Sequence, residues 1–111
     1  MSIEAIQAAI RDVPNFPKEG IVFKDISPII QSPELFREVI DIIGGRYSAA
    51  HIDSLVIIDA RGFIFGSALA DKLGCGISLI RKRGKLPWIT ESVAYELEYG
   101  TAEMEIHVDA V

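Results

Sequence analysis

The basic residues best suited to binding an anion lie in two short stretches of this sequence. Arg61 stands in the turn at residues 59–62, directly after an apolar run, and four more basic residues fall within five positions: Arg81, Lys82, Arg83 and Lys85. Guanidinium and ammonium groups donate charge-assisted hydrogen bonds to phosphate oxygens. The chemistry that these residue types favour is therefore the binding of a phosphorylated ligand.

The pattern around Arg61 predicts a strand, a tight turn and a helix. Residues 55–58 (LVII) are β-branched or aliphatic, which is typical of a strand buried on both faces. A helical pattern follows from Phe63 to Leu73, and Gly74 closes it. Free backbone N–H groups converge at a helix N-terminus, so this turn is a candidate anion site. The alternative is that Arg61 is an ordinary surface arginine.

A second buried strand at residues 76–80 (GISLI) precedes the basic cluster. A strand–helix–strand unit of this length predicts a right-handed parallel crossover, so both strands end at the same edge of the sheet. Ligands of open α/β sheets bind at that edge. Arg61 and the cluster from Arg81 to Lys85 are therefore expected to converge there, although a solvated turn also explains the cluster.

The C-terminal part of the chain, residues 88–111, has the alternation of a β-hairpin with a turn at residues 98–101. Glu96 and Glu98 share one face of its first strand, where acidic residues are also common simply because the face is wet. His51 and His107 match no metal-binding motif, and Cys75 is expected to pack as a small side chain. A mobile hairpin near the basic edge would cover a bound ligand.

The N-terminal part predicts an amphipathic helix over residues 2–11, a loop over residues 14–20 and a short extended piece at residues 21–23. Ser32 followed by Pro33 is typical of a helix start, and this helix should run to Tyr47. Its predicted inward residues are Leu35, Phe36, Val39, Ile42 and Ile43. Gly44 and Gly45 either end the helix early or permit close packing.

Composition narrows the class of protein. At 111 residues, half of them hydrophobic, the chain forms one domain with a folded core. The net charge of −5 argues against a general nucleic-acid surface. No apolar run reaches the ~18 residues of a membrane span. One cysteine fits a reducing cytosol, so a cytoplasmic protein is expected. The basic cluster within this acidic chain indicates a small anionic ligand.

Five blocks of the sequence together resemble adenine phosphoribosyltransferase. They are residues 16–27 (FPKEGIVFKDIS), 60–66 (ARGFIFG), 80–87 (IRKRGKLP), 97–100 (LEYG) and 103–107 (EMEIH). The blocks follow the order and spacing of that family and cover nearly the whole chain. The resemblance implies an α/β, partial type I phosphoribosyltransferase fold, with a parallel twisted sheet flanked by helices and a protruding β-hairpin.

The resemblance also implies a reaction. Adenine and phosphoribosyl pyrophosphate give AMP and pyrophosphate, with Mg²⁺ bound to phosphoribosyl pyrophosphate. It further implies a cytoplasmic role in purine salvage, a homodimer, and no nucleic-acid or membrane partner.

The residue roles that follow from the resemblance fall on two sides of the reaction. The segment Val22, Phe23 and Lys24 matches the lining of the adenine pocket, partly through its backbone. The family usually has Pro and Arg where this chain has Glu19 and Lys24, which bears on base specificity.

On the pyrophosphate side, Arg61, Lys82 and Lys85 match the family's cationic residues, and Arg81 of the same cluster is assigned to substrate binding with them. Glu98 matches the candidate catalytic acid/base toward the purine nitrogen. Tyr99, its neighbour, is also assigned to substrate binding.

The resemblance divides the single domain into three segments. Residues 1–30 form the adenine-side hood, 31–87 the α/β core and 88–111 the flexible hairpin. The family continues beyond the position of Val111 into a loop that cradles the ribose 5-phosphate. Activity of this chain is therefore expected to be impaired. The alternatives are a non-catalytic module that binds a purine or phosphoribosyl pyrophosphate, and an inactive fragment that associates with full-length subunits.

Overall fold

The computed structural model of the protein describes residues 3–97 and 100–111. They divide between two compact units, one ending at Tyr47 and the other beginning at Ser48. The boundaries at residues 30 and 87 come from the resemblance alone and stay a prediction.

The first unit contains two strands and three helices. In chain order they are α1 (Ile3–Ala9), β1 (Arg11–Pro14), β2 (Val22–Asp25), α2 (Ser27–Gln31) and α3 (Pro33–Tyr47). Strands β1 and β2 are antiparallel, with Val13 opposite Phe23. The predicted start of α3 is confirmed, because the Leu35 N–H donates to Ser32 Oγ at 3.2 Å.

The predicted helix over residues 2–11 is wrong at its C-terminal end. Helix α1 ends at Ala9, and Arg11 begins a strand instead. Pairing with β2 explains the change, since Arg11 Nη2 lies 2.9 Å from Asp25 Oδ2 across the ladder. A partner 14 residues away along the chain thus overrides the local helical pattern. Ser2, the first residue of the predicted helix, lies outside the described residues.

Gly44 and Gly45 do not end helix α3 early. The helix continues through both to Tyr47, and Gly44 is buried. The predicted inward face is partly wrong, because Ile42 is 38% exposed whereas Ile40 is only 7% exposed. Helix α2 was not predicted at all; it begins at Ser27 and carries Pro28 in its first turn.

Protonation of Asp25 at low pH should lower the free energy of unfolding of the first unit. Hydrogen bonds from the side chain and N–H of Ser27, together with Arg11, lower the pKa of Asp25 below its usual 3.8. A lowered pKa in the folded state means that this stabilisation is present above about pH 3.8 and is lost as the pH falls through the folded value. We expect the stability difference between wild type and Asp25→Asn to shrink as the pH is lowered from 6 to about 2.5.

Urea denaturation followed by circular dichroism at a series of pH values measures this difference. Asparagine keeps the shape of the side chain but removes its charge and its titration. A difference that stays constant across the pH range would contradict the prediction.

The second unit contains one sheet and one helix. Its elements are β3 (Ser54–Ile58), α4 (Arg61–Leu73), β4 (Gly76–Lys82), β5 (Thr90–Leu97) and β6 (Gly100–His107). The strand order in the sheet is β3-β4-β6-β5. Strands β3 and β4 are parallel, with Ile58 opposite Ile80, so the predicted parallel crossover is confirmed. Gly74 ends α4 in the left-handed conformation at φ +74°, also as predicted.

Strand β3 was predicted to be buried on both faces, and this is wrong for the unit as described. Ile57 is 7% exposed, whereas Val56 and Ile58 on the other face are 46% and 52% exposed. The helix that covers the Ile57 face approaches closely because it carries a glycine there. A Cβ atom on Gly66 would lie 2.2 Å from Ile57 Cγ2.

The predicted hairpin is confirmed, but its place in the sheet was not foreseen. Strand β6 lies between β5 and β4, pairing Glu105 with Arg81 and Met104 with Lys82. This pairing extends β4 two residues beyond its predicted end at Ile80. None of the helices in the described part of the chain is long and apolar enough to span a membrane.

Candidate functional site

A cleft of about 620 Å³ opens in the second unit where β3 and β4 end. It is lined by Ile58, Asp59, Ala60, Arg61, Gly62, Lys82, Lys85 and Tyr95. The predicted convergence of Arg61 with the basic cluster is therefore observed. It follows from the parallel pairing of β3 with β4, which brings both C-terminal strand ends to one edge.

The N-terminus of α4 forms one wall of this cleft. The helix begins at Arg61, two residues before its predicted start at Phe63, and Ala60 precedes it. Among the described residues, no side chain caps this N-terminus. The positive end of the helix dipole therefore lies at the cleft, which Arg61 also lines, and both features favour an anion.

The structure sorts the four residues of the basic cluster into two kinds. The two arginines are held by carboxylates: Arg81 Nε donates to Asp59 Oδ2 at 3.1 Å, and Arg83 Nη1 lies 3.3 Å from Glu103 Oε2. The Arg81 guanidinium also lies over the Phe63 ring, 5.7 Å from its centroid.

The two lysines, by contrast, line the cleft and are exposed. Within residues 3–97 and 100–111, the structure shows neither Lys82 nor Lys85 in a salt bridge with a carboxylate. Their ammonium groups are thus available to an anion, while substrate binding by Arg81, which does not line the cleft, stays a prediction.

Two polar residues of the cleft were not among the predicted site residues, although one of them, Asp59, lies in the turn that was predicted to bind an anion. Asp59 brings a carboxylate into a basic site, but its pairing with Arg81 offsets that charge. Tyr95 reaches the cleft from the hairpin strand β5. Val93, Tyr95 and Leu97 alternate with polar residues in the sequence, which is typical of one face of a strand, but the strand order that brings Tyr95 to the cleft is a tertiary feature.

A carboxylate outside the cleft supports the turn that carries the lysines. Glu105 Oε1 accepts a hydrogen bond from the Gly84 N–H at 2.7 Å, and Glu105 Oε2 accepts one from Thr90 Oγ1 at 2.8 Å. The Gly84 N–H first, and the Thr90 hydroxyl second, hold the pKa of Glu105 below its ordinary value.

In the first unit, the segment predicted to line an adenine pocket is strand β2. Phe23 lines a cavity of about 390 Å³ with Val13, Phe16 and Asp25, and its ring meets Phe16 edge-to-face at 5.2 Å between centroids. Val22 and Lys24 project from the other face of the strand, where Lys24 Nζ lies 2.6 Å from Asp12 Oδ1. Any contact of Val22 or Lys24 with a base in the Phe23 cavity would therefore use the backbone.

The remaining predicted residues lie elsewhere. Glu98 and Tyr99 fall outside the described residues, so their assignments stay predictions. His51 pairs with Asp53 at 2.9 Å, and His107 contacts the Pro87 carbonyl.

The cleft suits an anion better than a bare metal ion. In the part of the chain that the structure describes, no group of three His, Cys, Asp or Glu side chains is arranged to hold a metal ion. Among the described residues that line the cleft, the only carboxylate is that of Asp59, and Arg81 engages it. Because Mg²⁺ is commonly bound through phosphate oxygens and water, a magnesium–diphosphate ligand fits these residues and a resident ion does not.

Comparisons with known proteins show which proteins this chain is similar to. No protein-family model matches the chain. The adenine phosphoribosyltransferase of Anaeromyxobacter dehalogenans strain 2CP-C is 50% identical over 109 residues, which cover 98% of this chain and 63% of that protein. The chain thus spans less than two thirds of the curated relatives that it matches.

Solved structures give the same relationship at the level of the fold. Adenine phosphoribosyltransferase from Thermoanaerobacter pseudethanolicus superposes with a TM-score of 0.91 at 45% identity, covering 98% of this chain and 63% of that one. The enzyme from Giardia lamblia, solved with 9-deazaadenine, gives 0.92 at 35% identity, covering 96% and 60%. The fold is therefore that of the type I phosphoribosyltransferases, and over the 63% of its relatives' length that it spans the chain is similar in sequence to the adenine phosphoribosyltransferases.

Proposed function

We propose that this chain takes part in transfer of the 5-phosphoribosyl group from phosphoribosyl pyrophosphate to adenine, giving AMP and pyrophosphate. The observation that carries the proposal is the cleft that Arg61, Lys82 and Lys85 line together with the N-terminus of α4. Its role in the reaction is to hold the pyrophosphate group. A cytoplasmic place in purine salvage and a homodimeric assembly belong to the same proposal.

The cleft chemistry supports this role. In glycosyl transfer, the bond from the anomeric carbon to pyrophosphate breaks, and negative charge builds on the departing oxygen. Cations that are already in place stabilise this charge without reorganising, so they lower the barrier rather than only binding the substrate. Mg²⁺, when bound to the diphosphate, would supply further charge to the same oxygens.

Strand β2 supports the purine side of the proposal. A planar base stacks well on aromatic rings, and Phe16 and Phe23 form an aromatic wall in their cavity. Backbone groups of Val22 and Lys24 would complete the contacts to the base. In this proposal Glu98 is the acid/base that exchanges a proton with the purine nitrogen as the bond to the anomeric carbon forms. Tyr99 contributes to substrate binding.

The chain offers a matched pair of carboxylates for testing the reaction. Incubation of the 111-residue chain with adenine, phosphoribosyl pyrophosphate and Mg²⁺, with AMP measured by chromatography, is expected to yield AMP. Glu98→Gln should lower the rate about a hundredfold or more if Glu98 transfers a proton. Glu96→Gln removes the same charge two residues earlier and should change the rate less than about threefold.

The outcomes separate the proposed function from its alternatives. Equal losses in the two variants would contradict the role of Glu98. Ligand binding without AMP would favour a binding module, and neither binding nor AMP would favour a subunit that only associates with longer relatives.

A further inference from the structure

The turn that carries both cleft lysines depends on an unusual set of hydrogen bonds. Residues 82–85 form a tight turn, closed by the Lys85 N–H donating to the Lys82 carbonyl at 3.1 Å. The Arg83 N–H donates to the Glu103 carbonyl at 3.1 Å. The Gly84 N–H donates to Glu105 Oε1 at 2.7 Å. Three consecutive N–H groups of the turn thus have fixed acceptors, and only the acceptor for Gly84 is a side chain.

We propose that Glu105 is a positioning residue for the pyrophosphate cleft: its carboxylate fixes the turn at Gly84 and thereby sets where the Lys82 and Lys85 ammonium groups stand. Glu105 does not line the cleft, so it acts through the turn and not on the ligand. This inference rests on the proposed function, since it concerns the same site.

The position of Glu105 allows its carboxylate to fix the turn at Gly84. Its strand β6 pairs with β4 through Arg81, immediately before the turn, and with β5 through Ser92. Because Thr90 Oγ1 holds the second carboxylate oxygen at 2.8 Å, the carboxylate cannot rotate away from the turn without losing that bond. The first oxygen meets Gly84, which has a φ of +86°, a conformation that favours glycine.

Lysine side chains have little preferred direction of their own, so the backbone that carries them decides where their charges stand. Without the Glu105 contact, the Gly84 N–H donates to water instead, and the backbone of the turn can change conformation at Gly84. The two ammonium groups would then spend less time at the spacing that a diphosphate needs.

The sign of the effect distinguishes positioning from simple electrostatics. Removing a negative charge near a basic cleft strengthens anion binding by Coulomb attraction. Loss of positioning weakens it. Glu105→Gln loses the charge and one of two acceptor oxygens, so the two explanations predict opposite changes.

Glu103 provides the matched control for this test. It stands two residues before Glu105 on the same strand face, and its carboxylate pairs with Arg83, outside the cleft. Glu103→Gln therefore removes the same charge and leaves the Gly84 contact in place.

The experiment is calorimetric titration of the 111-residue chain with pyrophosphate in the presence of Mg²⁺. Glu105→Gln is expected to weaken binding roughly tenfold, while Glu103→Gln leaves it unchanged or up to about twofold tighter. In a Lys85→Ala background the effect of Glu105→Gln should fall below about threefold, because one of the two lysines through which it acts is gone. A loss of general stability would instead persist in that background.

A second variant covers the case in which Glu105→Gln does not fold. Thr90→Val removes the hydroxyl that fixes the carboxylate but keeps its charge, and it should weaken binding about two- to fivefold. Binding that tightens or stays the same in either variant overturns the inference alone. Wild-type chain that binds no pyrophosphate overturns the proposed function and the inference with it.

Discussion

Replacing Gly66 by alanine should lower the free energy of unfolding of the second unit by about 2 to 3 kcal/mol. The added Cβ would lie 2.2 Å from Ile57 Cγ2 and 3.0 Å from Ile57 Cβ. Ile57 cannot move aside easily, because it is buried and its branched side chain has few rotamers. The helix must therefore shift away from the sheet, and the cleft at its N-terminus shifts with it.

The same helix contains a control for this substitution. At Gly62 a new Cβ would meet nothing nearer than the Ile57 carbonyl carbon at 4.0 Å, which is ordinary contact. Gly62→Ala should therefore change the stability by less than about 1 kcal/mol, since only helix propensity is altered. Urea denaturation followed by circular dichroism measures both variants.

A double variant identifies the clash as the cause. Ile57→Ala removes the atom at 2.2 Å, so in that background Gly66→Ala should cost less than it does in wild type. Additive losses in the double variant would show that the glycine serves another purpose.

Replacing Lys82 by alanine should weaken pyrophosphate binding about tenfold, whereas the adjacent Arg83→Ala should change it less than about twofold. Both substitutions remove one positive charge from the same turn. They differ because Lys82 lines the cleft, while the Arg83 guanidinium is engaged by Glu103. The two variants should differ in this way if affinity depends on where each positive charge lies and not on the net charge of the turn.

Titration calorimetry at two salt concentrations tests the contrast and its origin. Lys82→Ala should reduce the salt dependence of binding, because one contact to the anion is lost, and Arg83→Ala should leave it close to wild type. Equal losses of affinity in the two variants would mean that the anion responds to the general charge of the turn and that the cleft geometry is irrelevant.

The sequence by itself determined the unit that holds the cleft. The apolar residues of β3, the helical pattern ended by Gly74 and the second apolar strand are all local signals, and the helical connection between the strands is long enough for the parallel pair that is observed. Local chemistry likewise determined the start of α3, where Ser32 caps the helix. These features are predictable because their causes lie within a few residues of their effects.

Only the tertiary structure decided how the sheet and the cleft are completed. The pairing of β6 with β4 lengthens β4 and places Tyr95 at the cleft, and β1 replaces the end of a predicted helix because it pairs with β2. The four residues of the basic cluster look alike in sequence. They differ in the structure because Asp59, 22 residues before Arg81, and Glu103, 20 residues after Arg83, hold the arginines and leave the lysines at the cleft. Partners so distant along the chain come together only through the fold, and their identity leaves no periodic signal in the sequence.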